Sequence, residues 1–232
     1  MKITYYLEVI SSWCYWAEPA WAELKQRYAP RGVEFEWKIA LMRREDYPVS
    51  REQCDWFYRR SGMAVRSPFM LNSGWLEPFR ERLFPAASYV AEAGKDFGVT
   101  GDELRLALAH AADREGIKVA SMGPAIEVAI NAAEAGALGE ATRLRQASAR
   151  QELQARAESP EVAARIRAST AEFFGHRIDQ RPAFVLTDDI GDKAVFSGLV
   201  RIEPLAATLE AMLADTAAYA AHRAHYGAPP HG

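Results

Sequence analysis

The chain has 232 residues, 49% hydrophobic and 25% charged, with a formal net charge of -3 from 28 Lys+Arg against 31 Asp+Glu. That composition excludes a disordered or fibrous chain, and the near-balance of charge leaves no field that would draw it to nucleic acid or an anionic membrane. Two cysteines, Cys14 and Cys54, cannot build a disulfide scaffold and suit a reducing compartment.

Ile3 to Val9 is rich in β-branched and aromatic residues and predicts a buried strand. Met1-Lys2 leads straight into it, and no window reaches the apolar length of a membrane span, so a soluble, cytoplasmic protein without a leader is expected. Ser11-Ser12-Trp13 ends the strand, and Cys14 to Tyr28 predicts a helix with Trp13, Ala17, Trp21 and Leu24 on one stripe. Pro30-Arg31-Gly32 punctuates it, and Val33 to Ile39 alternates apolar and charged residues as a second strand, completing a strand–helix–strand unit.

From about 50 to 175 the pattern is helical throughout. Ser50-Arg51-Glu52-Gln53 reads as a capping box opening a helix that stops at Gly62. Thr100-Gly101-Asp102-Glu103 reads as another, with its helix running to about Glu115-Gly116. Pro124 opens a helix with Ile126, Ile130 and Ala133 on one side, and Ser159-Pro160-Glu161 caps one ending at Phe173-Phe174-Gly175. Arg143-Leu144-Arg145 has the look of a solvated helix face. Strands return at Ala183–Thr187 and Ala194–Ser197, flanking a turn-rich Asp188–Asp192 loop as a hairpin. Pro204 opens a last helix with Leu205, Leu209 and Leu213 at helical spacing, before a flexible 227–232 tail.

Cys14 follows a strand and a turn where a helix begins, so unpaired backbone N–H groups and the positive helix end would favour its thiolate and lower its pKa. Glu8 interrupts an apolar strand, where an acid is costly without a partner or a task. Pro182 stands at the head of the returning strand, where its missing N–H is tolerated. Trp13, Tyr15, Trp16 and Trp21 crowd one helix near Phe69 and Trp75, either as junction core or as an aromatic-lined cleft. Ser11 and Ser12 could donate hydrogen bonds to a sulfur anion or cap the turn. Cys54 fits core packing, and the five histidines show no ligand spacing with a cysteine, so no metal is expected.

Trp13-Cys14-Tyr15-Trp16-Ala17 at a helix start, a helical insertion, and Arg181-Pro182-Ala183-Phe184-Val185 before a hairpin resemble the DsbA-like thioredoxin superfamily. That group includes FrnE-like oxidoreductases, 2-hydroxychromene-2-carboxylate isomerases and kappa-class glutathione transferases. The resemblance covers nearly the whole chain and implies an α/β thioredoxin fold, residues 1–45 and 176–226, around an all-helical insertion, 46–175, between an N-terminal βαβ unit and a C-terminal ββα unit. It implies Cys14 as nucleophile, Glu8 in proton transfer, and Pro182 as the fold's cis-proline with Arg181 presenting backbone; Trp13, Tyr15, Trp16 and Ala17 complete the substrate-binding segment. Ala17 stands where the family's resolving cysteine belongs, so a mixed disulfide on Cys14 needs an outside thiol for release. The expected function is thiol–disulfide exchange through a single cysteine, on a small thiol or disulfide or a protein disulfide, with no tightly bound cofactor and glutathione as co-substrate. The first alternative is a glutathione-dependent isomerase or transferase acting on an aromatic electrophile. For it Ser12, Gly198 and Arg201 are the glutathione-binding candidates, although Gly198-Leu199-Val200-Arg201 lacks the family's acid. The second alternative is a redox-inactive binding module. Relatives in this family are often homodimers.

Overall fold

The computed structural model describes residues 1–76, 84–139, 142–198 and 201–227. Its sheet consists of β1 (Lys2–Leu7), β2 (Glu34–Ile39), β3 (Ala183–Thr187) and β4 (Lys193–Ser197), in the order β2-β1-β3-β4. β1 and β2 are parallel, as a right-handed crossover requires, while β3 runs antiparallel to both β1 and β4. Tyr5 pairs with Trp37 on one side and with Phe184 on the other, so β1 is the central strand.

The period-2 alternation of the strands divides the apolar side chains between two faces. Ile3, Tyr5, Leu7, Phe184 and Leu186 join the main core with Trp21 and Leu24 of α1 (Ser12–Tyr28) and Leu205 and Leu209 of α8 (Ile202–Tyr226). Tyr6, Ala183 and Val185 face the other way, against Phe173 of α7 (Pro160–Gly175). This is the thioredoxin arrangement.

Between β2 and β3 lie α2 (Arg51–Val65), α3 (Ala86–Gly94), α4 (Glu103–Asp113), α5 (Met122–Glu134), α6 (Ala149–Ala157) and α7. α3 sits at their centre, packed against α4, α5, α6 and α7. Every residue of α3 except Tyr89 is buried, and it begins after Pro85 with no side-chain cap. A helix covered on all sides shows no amphipathic stripe, which is why sequence periodicity passes over it. α6 is also absent from the sequence expectation; only Ala149, Leu153 and Ala157 of it are buried.

Three local expectations are corrected. α2 runs through Gly62 to Val65 and ends at Arg66 in the left-handed region, φ 55°. Ser50 Oγ does accept from Gln53 N at 3.1 Å, but the Gln53 side chain accepts from Val49 N instead of closing a box on Ser50. At α4, Asp102 takes the N-cap position without capping, because its carboxylate is engaged elsewhere. It accepts from Trp21 Nε1 at 3.1 Å, Lys25 Nζ at 2.7 Å and the Arg105 guanidinium at 2.7 Å. That helix also stops earlier, at Asp113. Arg143–Arg145 is a single tight turn with Leu144 buried, and Arg145 Nε donates to Ala133 O at 3.0 Å. In the tail, 228–232 lie outside the described residues.

Arg105 is 2% exposed and is held by Asp102 and by Glu18 of α1, so these charges tie the insertion to the sheet domain. Removing one member of a buried charge cluster strands the others, at a cost of about 3 kcal/mol. Asp102→Ala should therefore lower the urea midpoint markedly. Thr100→Ala, which removes an expected cap partner that forms no capping bond here, should change stability by less than about 0.5 kcal/mol.

Candidate active site

β1 ends at Leu7, and the chain turns through Glu8-Val9-Ile10 so that Ser11 N donates to Glu8 O at 3.1 Å. Ser11 is the N-cap of α1, extended at φ -89° and ψ 119°. Its carbonyl accepts from Tyr15 N at 2.9 Å, yet no side chain caps the first turn and no acid lies within it. The first N–H groups of a helix have no intrahelical acceptor, so this end of α1 attracts an anion.

Ser11 lines a cleft of about 240 Å³ with Ile10, Ser12 and Trp13 from the same turn. The opposite wall is α2 and its neighbour turn, through Cys54, Phe57, Tyr58, Arg60 and Trp75. Met42, Asp46 and Pro48 after β2 and Asp179-Gln180-Arg181 before β3 close the ends.

Cys14 is not part of that lining. It is the third residue of α1 and the first of a buried stripe, Cys14, Ala17, Trp21, Leu24 and Tyr28. The stripe starts one residue later than the expected Trp13, which instead turns into the cleft. The Cys14 thiol is 2% exposed, and burial pushes its pKa up to about 12, outweighing hydrogen bonds from the Ser11 side chain and the Glu8 backbone. The lowered thiol pKa expected at the helix mouth is thereby corrected: dipole and N–H groups are present, but desolvation dominates at the sulfur. Cys54 is buried too, with its pKa likewise pushed up to about 12 by desolvation.

Glu8 is fully buried. Oε2 accepts from Met42 N at 3.2 Å and Oε1 from Ser88 Oγ at 2.5 Å, so the acid joins the ends of β1 and β2 to α3. Burial lifts its pKa to about 7 against those bonds and the Arg181 charge. The Arg181-Pro182 bond is cis. The Arg181 guanidinium donates to Ala40 O and Leu41 O, both at 2.5 Å, and lies 4.5 Å from the Phe173 ring. Its side chain thus fastens the proline loop to the end of β2.

The remaining sequence candidates are dispersed. Ala17 is fully buried in the main core. Tyr15 and Trp16 line a separate apolar groove with Phe69, and Trp16 Nε1 donates to Ser61 Oγ at 3.1 Å. Gly198 N donates to Pro182 O at 2.7 Å, whereas Arg201 is exposed beside Trp16, Pro19 and Arg66, away from the cleft; residues 199 and 200 lie outside the described residues. The sequence offered Ser11 as a donor to a sulfur anion or as a turn cap, without choosing between them, and did not single out Tyr58. One signal was available, Tyr58 one helical turn after Cys54; helical spacing puts Ser11 on the Cys14 face and gives no sign that it reaches a cleft.

No protein-family model matches the chain, and no curated protein sequence matches it. Its fold is similar to solved structures. One is a protein from Nitrosomonas europaea provisionally described as a protein disulfide isomerase, with TM-score 0.67 and 16% identity, covering 92% of this chain and 98% of that one. Another is the cytosolic disulfide reductase DsbM from Pseudomonas aeruginosa, with TM-score 0.65 and 19% identity, covering 92% and 98%, which is also solved with GSH. A third is a 2-hydroxychromene-2-carboxylate isomerase, with TM-score 0.55 and 15% identity, covering 94% and 99%. The chain has the DsbA-like thioredoxin fold with a helical insertion. Among the described residues no helix is long and apolar enough to cross a membrane.

Glu8 has a folded pKa above its unfolded value, so the native state holds a proton that the unfolded chain has already released. This contribution favours folding below the unfolded pKa and turns against it as pH rises toward about 7. The urea midpoint should fall between about pH 5 and pH 8, and Glu8→Gln should flatten that slope. An unchanged slope in the variant would show that Glu8 is ionised throughout.

Proposed function

We propose that this DsbA-like thioredoxin-fold protein binds a small thiol of the glutathione class at the N-terminus of α1 and presents its sulfur to an aromatic electrophile, as an isomerase or transferase. The carrying observation is the order of groups at the helix mouth: Ser11 lines the cleft, and its side chain hydrogen-bonds the Cys14 sulfur, which is sealed behind it. A hydroxyl cannot form a mixed disulfide, but it donates a hydrogen bond to a thiolate, beside N–H groups that favour the same charge. Attack on an electrophile needs the thiolate, not the thiol.

Each neighbour has a role in this reading. Ser12 and Trp13 extend the cleft on the sulfur side. The Arg181-Pro182 loop forms the adjacent wall, with Arg181 as its positioning residue through the β2 carbonyls. Glu8, buried behind the Ser11 turn, holds that turn against Met42 and against Ser88 of α3. Ile10, Met42, Phe57 and Trp75 supply apolar and aromatic surface for an electrophile. The structural neighbour solved with GSH and the isomerase neighbour are consistent with this class, and glutathione as co-substrate implies a reducing compartment.

Exchange through Cys14 remains the second reading, favoured by one feature: the Ser11 side chain hydrogen-bonds the Cys14 sulfur, so the buried thiol lies one residue-width behind the cleft. Two measurements separate the readings. Mixing reduced glutathione with the protein should produce the ultraviolet absorbance of a thiolate well below its free pKa of about 8.5. Ser11→Ala should raise the bound thiol's pKa by about one to two units, the worth of a hydrogen bond to a charged group. After incubation with oxidised glutathione, mass spectrometry should find Cys14 unmodified. An adduct there, removable by a second thiol, would establish exchange instead.

A further inference from the structure

The wall opposite Ser11 contains a second buried acid. Asp113, the last residue of α4, is fully buried, and its Oδ1 accepts from Tyr58 Oη at 2.9 Å. Oδ2 has no hydrogen-bond partner, and among the described residues no cation pairs with the carboxylate. The same Tyr58 oxygen accepts from Trp75 Nε1 at 2.6 Å. Tyr58, Trp75 and Cys54 form one stretch of the cleft wall, with the Cys54 sulfur hydrogen-bonded to the Tyr58 hydroxyl.

Hydrogen-bond counting then leaves two states. A phenol has one proton to donate, and Trp75 already occupies one of its acceptor positions. When Asp113 is ionised, Tyr58 donates to it, and its second lone pair accepts from the Cys54 S–H. When Asp113 is protonated, its own O–H donates to Tyr58 Oη, and the phenol proton is released toward the sulfur of Cys54, a residue of the cleft wall. Sulfur is a weak acceptor, so a ligand carbonyl competes with it easily.

We infer that Tyr58 donates a hydrogen bond to the carbonyl oxygen of an aromatic electrophile bound in the cleft, and that Asp113 is the positioning residue that aims its proton. In chemical use this rests on the thiol-binding reading. The thiolate sulfur forms a C–S bond at the β-carbon of an α,β-unsaturated carbonyl, the C=C pair shifts, and the charge arrives on oxygen. Tyr58 passes its proton to that oxygen while the Asp113 proton moves to the Tyr58 oxygen, leaving a carboxylate that water re-protonates.

Among the described residues, the groups facing Asp113 from each element are few. From α2 they are Tyr58 and Cys54, and from α1 it is Tyr15. From the turn before Trp75, Asn72 N donates to the Asp113 carbonyl. On its own helix and just beyond, Arg114 turns to the Phe69 ring and the Tyr15 hydroxyl, and His110 pairs with Glu115 at the surface. With no cation against it, burial lifts the Asp113 pKa to about 7, while Cys54 and Tyr58 are pushed far above neutrality.

The test uses the chromophoric enal 4-(dimethylamino)cinnamaldehyde, whose absorption moves to the red when its carbonyl oxygen accepts a hydrogen bond, added to the full chain without glutathione. In the wild type, the bound probe should be red-shifted at about pH 5 and lose the shift with a midpoint near 7. Tyr58→Phe should abolish the red shift at every pH. In Asp113→Asn the amide N–H takes the place of the protonated acid, so the shift should persist to about pH 9 without a midpoint. A probe that does not bind, a wild-type spectrum independent of pH, or an Asp113→Asn protein that keeps the wild-type midpoint would each overturn the inference, the first two without needing a variant to fold. Failure of reduced glutathione to bind in a separate titration rejects the thiol reading and leaves this result untouched.

Discussion

The first turn of α1 imposes the constraint around which the molecule is arranged. Its N–H groups point out of the central strand's end into a cleft, with no side-chain cap and no acid in the first turn. Such an end is stabilised by an anion from outside the helix. What the protein does there is decided by which residue stands at the opening. Ser11, the extended N-cap just before the helix, lines the cleft, and Cys14 joins Trp21 and Leu24 in the core. A thiol at the outer position would be a nucleophile; a hydroxyl there is a holder of someone else's thiolate.

The chain is built to keep that end fixed. β1 is paired on both sides, and its final carbonyls are tied to the turn by Ser11 N and to β2's end by Ala40 N. Glu8 links the same turn to Met42 and to Ser88 of α3, so the insertion is joined to the sheet domain at the site itself. Arg181 clamps the proline loop to the Ala40 and Leu41 carbonyls just after β2. Two carboxyls, Glu8 and Asp113, are buried behind the cleft walls, and among the described residues no cation is in direct contact with either. Each costs folding free energy that an apolar residue would not, and such residues concentrate where proton transfer is needed.

Much of the fold was legible because its signals are local. β-Branched and aromatic content marked Ile3–Val9, two residues past the end of β1, alternation marked Val33–Ile39, Ser159-Pro160 marked the start of α7, and Asp188–Asp192 marked the hairpin. α3 escaped because an alanine-rich helix enclosed on every side has neither stripe nor cap. Asp102 misled because its carboxylate serves three partners across the domain junction, a tertiary demand that no spacing within 100–103 reveals. At the site, the helix start and Pro182 were readable, but the face of Cys14 turned on a one-residue choice of stripe. Trp13 and Cys14 are both apolar enough to begin it, and only packing shows that Cys14 does. Tyr58 and Asp113 lie in different helices of the insertion, and nothing in the sequence brings them together.

The central claim is that position 11, and not position 14, owns the helix mouth. It is tested most directly by the pH profile of iodoacetamide alkylation in the wild type and in Ser11→Cys, read by peptide mass spectrometry. The account predicts fast labelling at position 11 in the variant, titrating below the free thiol value of about 8.5, with Cys14 unlabelled in the native wild type. Rapid labelling of native Cys14 near neutral pH, or a thiol at position 11 no more reactive than a free one, would contradict it.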